Sequence, residues 1–241
     1  MERPANLMER RATLMDRRAT TGGGIAAVAG VVLLATGTWL HPMQADPNDA
    51  IDAFTEYAAD RVWVASHLMQ LAGVLLMSGA LLVLERVLAE GRGAWWARIG
   101  AAGATAGIAL AAALQAVDGI ALKRMVDAWA GASEPSVFPL FAAAFAVRQI
   151  EVGLAAMLSI VLGSTTAIYG VAMHADSRFA PWIGWLAVFG GFTTACAGVV
   201  MAYTGFSDAT MMINMPANFV LLLWMLAVGR ILLGLEPADP A

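Results

Sequence analysis

The sequence predicts an all-α membrane protein, a bundle of six transmembrane helices, and three observations predict it. The 241 residues are 60% hydrophobic and only 13% charged, where a soluble domain is nearer half apolar and about a quarter charged. Mean hydropathy is +0.71, more apolar surface than a globule of this size can hide. Several continuous runs reach the ~20 residues that span a bilayer core, whereas a membrane barrel shows ~10-residue alternating strands.

Residues 1–22 form a basic, amphipathic tail. It contains a near-repeat of period seven, "LMERRAT" then "LMDRRAT". Leu7, Met8, Leu14 and Met15 share one helical face, and Arg10, Arg11, Arg17 and Arg18 lie away from it, as in a helix resting on an anionic leaflet. A basic tail that only fixes orientation is the alternative. "TGGG", Thr21–Gly24, is expected to break that helix.

Six apolar segments follow within residues 23–235. The first runs from about Gly24 to Leu40. Its basic start resembles a leader, but "HPMQADP" has no small-x-small cleavage site, so it reads as a retained helix. The second runs from about Val62 to Leu84 and the third from about Ala97 to Ile120. The fourth lies within Phe138–Met173, with a core near Ile150–Met173. The fifth runs from about Trp182 to Tyr203 and the sixth from about Met211 to Leu235. Residues 236–241 are a short tail.

Between the first two spans lies an acidic connection, "HPMQADPNDAIDAFTEYAAD". Asp46 before Pro47, or Asn48, is placed to cap a helix. Ile51, Phe54 and Tyr57 recur at helical spacing, so a short amphipathic helix should lead into the second span. The stretches "GVVLLATGTWLHPMQADPNDA" and "GVVMAYTGFSDATMMINMPAN" echo one another weakly, as duplicated hairpins do.

Lys and Arg set the orientation. Arg3, Arg10, Arg11, Arg17, Arg18, Arg86, Arg92, Arg98, Arg178 and Arg230 fall on one side, against Arg61, Lys123, Arg124 and Arg148 on the other. Both termini are therefore expected in the cytoplasm of a bacterium, in its inner membrane. The connections near His41, Lys123 and Thr204 face out.

Polar groups in hydrocarbon are costly and usually face the bundle interior or a water-filled cavity. Asp60, Trp63, His67 and Gln70 step by three and four along one helical face. Gln115 and Asp118 step by three, as do Arg148 and Glu151, while Asn214 and Asn218 step by four. With Asp208, every one of these is expected in the outer half or on the outer surface. The inner half offers only Ser78, Ser164, Thr165, Thr166 and Tyr169. Asp60, Trp63, His67, Gln70, Gln115, Asp118, Arg148, Glu151 and Asp208 are thus candidates to line an outward pocket for a small molecule or lipid head group. The plainer account is that facing polar groups hold helices together, and that Lys123, Arg124 and Asp127 are interfacial anchors.

The sequence selects no reaction and no cofactor. One cysteine, Cys196, and three scattered histidines make no metal-binding pattern. His41 and His67 are the candidates for a metal or haem ligand, and His174 is on the wrong side to join them. No Gly-x-Ser-x-Gly, His-Glu-x-x-His or phosphate loop is present. A membrane-embedded enzyme using His67 and the carboxylates as acid and base stays open. So does a structural or accessory subunit of a membrane complex, or a homo-oligomer. Nothing points to nucleic acid.

The runs "LHPMQADPNDAIDAFTEYAADRVWVASHLMQLAG", "LQAVDGIALKRMVDAW", "AVRQIEVG" and "MAYTGFSDA" resemble a set of uncharacterised six-helix bacterial integral membrane proteins of unknown function. The resemblance covers most of the chain after the tail. It implies an integral membrane protein and carries over no catalytic residue.

Overall fold

The computed structural model describes residues 4–234, with side chains described from residue 17 onward. The amphipathic faces expected of Leu7–Met15, and the tail after residue 235, lie outside the described residues.

The helices are α1 (Pro4–Leu40), α2 (Ala50–Ala59), α3 (Trp63–Leu88), α4 (Ala94–Gln115), α5 (Lys123–Ala130), α6 (Val137–His174), α7 (Pro181–Thr204) and α8 (Asp208–Gly234). A π-helical segment, Ala116–Leu122, joins α4 to α5 without a break. Among the described residues six helical stretches are long and apolar enough to span a bilayer, and α4, the π segment and α5 count as one of them. Neighbours in sequence are neighbours in space: α1 packs on α3, α3 on α4, α4 on α6, α6 on α7 and α7 on α8. The α8–α1 contact then closes the ring. The protein is an up-and-down helical bundle and an integral, multi-pass membrane protein, whose surroundings are lipid.

Burial follows from that environment. The interior holds Leu84, Tyr169, Met173, Trp224 and Leu232, while Ile25, Val32, Phe189, Phe192 and Phe219 point outward and exposed. Lipid tails give no hydrophobic drive between helices, so small residues that permit close backbone approach set the contacts. On α6 and α7, Gly163 meets Gly191 and Gly170 meets Gly184, each so close that a Cβ would strike the partner's carbonyl oxygen.

The expected break at Thr21–Gly24 does not occur, and α1 runs through it. Helical glycine costs about 1 kcal/mol relative to alanine. Here tertiary packing offsets that cost: Gly23 admits Val83 of α3, and Gly24 admits Leu233 and the Gly229 carbonyl of α8. Likewise Pro216 lies inside an unbroken α8.

At 38 residues α6 is about 57 Å long at 1.5 Å per residue, well beyond the ~30 Å hydrocarbon thickness. Together α4, the π segment and α5 nearly match it. The excess stands at one end, where α2 lies across it. Ala53, Phe54, Tyr57, Trp63, Leu122, Val126 and Ala144 form a second apolar core there. The cap of α2 is Asp49, not Asp46 or Asn48, and its carboxylate accepts from the amides of Ile51 and Asp52. Asp46 instead accepts from the Asn48 amide, turning the chain one step earlier. Phe54 and Tyr57 are buried as their spacing predicts, but Ile51 is exposed.

Candidate functional site

The polar residues gather where the π segment passes the start of α3. Gly119 lets this happen: a Cβ there would stand 2.6 Å from the Cβ of His67. The wide turn takes more residues per revolution than an α-helix, a feature that recurs at functional sites. It carries Asp118 against α3, and the Trp63 indole N–H fixes it by donating to the Asp118 carbonyl at 3.1 Å.

His67 is 1% exposed. Its Nδ1 lies 2.7 Å from the Trp63 carbonyl. A carbonyl only accepts, so Nδ1 carries the proton and Nε2 presents a lone pair. That Nε2 is 3.1 Å from Asp118 Oδ2, yet it has no hydrogen-bond partner among the described residues, and neither has Asp118 Oδ1. His41 follows α1 into the same place. Its Nδ1 donates to the Pro42 carbonyl at 2.7 Å, which again leaves Nε2 as an acceptor. Burial, with His67 behind it, holds the His41 imidazole below its ordinary pKa. One ligand atom each from His41, His67 and Asp118 lie within 4.8 Å of one another.

Aromatic rings wall this group in. Trp63 stacks on His67 with centroids 4.5 Å apart, and Tyr57 lies 4.4 Å from Trp63. Burial pushes the Tyr57 hydroxyl up to a pKa of about 12, so it stays neutral. The His41 and His67 rings are 5.0 Å apart and pack together too closely to sandwich a haem macrocycle.

On the far side of Tyr57 is Arg148, whose guanidinium lies 5.5 Å from that ring and 4.8 Å from Phe206. Arg148 Nη1 donates to both carboxylate oxygens of Glu151 at 2.8 Å, and both side chains are buried. A longer contact, 3.4 Å, runs from Nη2 to the Pro47 carbonyl. Arg148 also forms part of the wall of a recess of about 390 Å³ with Asn48, Gln149, Tyr203, Thr204 and Phe206. Gly205 bends the wall at φ +63°, in the left-handed region that favours glycine. Asn48 Nδ2 donates to the Phe206 carbonyl at 3.2 Å, so the two connections that echo one another in sequence meet here.

The remaining candidates are placed differently. Gln115 donates to Gln70 at 3.2 Å and bridges α4 to α3. Asp60 turns the chain between α2 and α3, accepting from the Val62 amide. Asp208 is exposed in the first turn of α8 and makes no polar contact with the cluster. Lys123, read as an anchor, donates to the Tyr57 and Ala58 carbonyls and to Asp127, closing the C-terminus of α2. The sequence named His41 and His67 as metal candidates and set Asp118 among the pocket residues, and the structure brings the three together.

At the opposite end a separate clasp joins the α6–α7 connection to the last turn of α3. Arg178 donates to Asp176 at 2.7 Å and to the Val87 carbonyl at 2.8 Å. The hydrogen bonds from Arg178 hold the Asp176 carboxyl below its ordinary pKa.

The fold and site therefore define a six-span membrane bundle with a His–His–Asp group, centred on the buried His67, and an adjoining polar recess at one end. No family model matches the chain, and no curated protein or solved structure matches it either.

Proposed function

We propose that this protein binds a small polar molecule or lipid head group in the Arg148 recess, at the outer face of a bacterial cytoplasmic membrane. The observation that carries this is the guanidinium in the recess wall. Arg148 spends Nη1 on Glu151 and makes only a long contact through Nη2, which leaves donors for a ligand rich in acceptor oxygens. Asn48, Gln149, Tyr203 and Thr204 add further polar groups around it. The volume falls in the ~300–1,000 Å³ range of ligand sites.

The outward assignment rests on the ten-to-four bias of Lys and Arg toward the opposite end and the N-terminal tail. Both termini are then cytoplasmic. Residues 1–22 would serve as the basic, membrane-facing tail.

Native mass spectrometry of the protein released gently from membranes tests this reading. The expected result is one retained adduct per chain, lost in Gln149→Ala and in Arg148→Gln. A bare 25.2 kDa mass from the unaltered protein, across several mild detergents, would refute it.

A further inference from the structure

We propose that His41, His67 and Asp118 form a binding site for a divalent first-row transition-metal ion, with Zn²⁺ as the class example. This goes beyond the recess and uses none of its lining residues.

Three independent features support the site. The first is tautomer. Both imidazoles commit Nδ1–H to a backbone carbonyl, His41 to Pro42 and His67 to Trp63. Metal-ligating histidines are oriented in this way, because the carbonyl fixes the ring and leaves Nε2 as the donor to the ion. The second is an unmet electrostatic demand. His67 Nε2 and Asp118 Oδ2 approach to 3.1 Å, yet Nε2 makes no hydrogen bond among the described residues, and His67 is almost wholly buried. Two lone pairs held that close repel unless a cation or proton lies between or beside them. The nearby lysine, Lys123, is engaged by Asp127, and Arg148 by Glu151, so among the described residues neither of these cations pairs with Asp118. The third is donor chemistry. Two imidazoles and a carboxylate suit zinc, iron or copper better than calcium or magnesium, which take oxygen ligands.

The spread of up to 4.8 Å between ligand atoms exceeds the ~3.4 Å expected for a tetrahedral ion with bonds of ~2.0–2.2 Å. His41 sits in a connection rather than a helix, so it is the ligand that can move in. Three protein ligands leave a fourth position open, as in exchangeable or catalytic sites rather than purely structural ones.

The test uses the full chain without a polyhistidine tag, stripped of metal and held in detergent. Co²⁺ is the probe, because its visible absorption reports coordination, and Zn²⁺ is the competitor. One Co²⁺ per chain, displaced by Zn²⁺, is expected. His41→Gln and Asp118→Asn should each weaken binding at least about tenfold, while His174→Gln should leave it unchanged. His41→Gln lies outside the spans, so it reports on binding even if Asp118→Asn folds poorly. The proposal is overturned if the unaltered protein takes up no Co²⁺ in stoichiometric amount. Equal uptake by His41→Gln and Asp118→Asn also overturns it.

Discussion

His67 Nε2 stands 3.1 Å from Asp118 Oδ2 across the α3–π-segment interface, yet makes no hydrogen bond among the described residues. This contact makes a prediction of opposite signs. In Asp118→Asn an amide N–H replaces one oxygen and can donate to His67. The metal-free variant should then be more thermally stable than the parent, by about 1 kcal/mol, the usual worth of a hydrogen bond. Added Zn²⁺ should raise the midpoint of the parent and not of the variant. A variant less stable than the parent in chelator would overturn this reading of the contact.

Gly119 should tolerate no side chain. A Cβ would overlap His67, and overpacking of this kind costs about 1–3 kcal/mol. Thermal unfolding of Gly119→Ala should show that loss. Gly131→Ala, where only a carbonyl at 3.5 Å is met, should stay close to the parent. Equal midpoints for the two variants would mean that the π segment moves aside freely.

Arg148 and Glu151 should be worth more together than apart. Removing one partner of a buried pair strands the other charge, at about 3–5 kcal/mol. Arg148→Met should therefore destabilise strongly, and Arg148→Met with Glu151→Met should recover much of the loss. A double-mutant cycle in detergent measures this directly. Additive losses would show that water reaches the pair.

At the other end the Asp176–Arg178 clasp sets a pH dependence. The folded carboxyl has the lower pKa, so between that value and the ordinary one of 3.8 the unfolded chain binds more protons. Stability then rises with pH. The contribution is full above the ordinary carboxylate range and is lost as pH falls through the lowered value. The stability gap between the parent and Asp176→Asn should open over that acid window and be flat near neutrality. A gap independent of pH would mean that the carboxylate charge contributes nothing.

Topology is open to a direct check in a Cys196→Ala background. Ser133 and Glu90 are exposed in connections at opposite ends. In intact cells an impermeant maleimide should label Ser133→Cys and spare Glu90→Cys. The reverse pattern would invert the orientation.

The spans were legible because lipid demands continuous apolar helices, and no tertiary contact can hide that requirement. Phe54 and Tyr57 were legible for the ordinary reason of periodicity. The continuity of α1 through Gly22–Gly24 was not, because the partners of Gly23 and Gly24 lie on α3 and α8. Nor was the π segment: Gln115 and Asp118 look like one face of an α-helix, and only contact with α3 shows the wider turn. His41 and His67 could be named together as metal candidates, but that Asp118 joins them was not legible, because a residue just past a helix end can point anywhere until its neighbours are known. The polar spacings could not divide that end of the bundle into a recess and the His–His–Asp group beside it.

The Arg148–Glu151 pair has a consequence for how the chain is made. The two residues lie three apart on one helix, so their bond needs no other part of the protein. A lone charge entering hydrocarbon is costly. The nascent fourth span brings its own counter-ion and can leave the translocon as a neutralised rod. His67 and Asp118 belong to different spans and can meet only once both are in the membrane. Pairing at this end of the protein is thus of two kinds, one complete within a single helix and the other waiting on its neighbours.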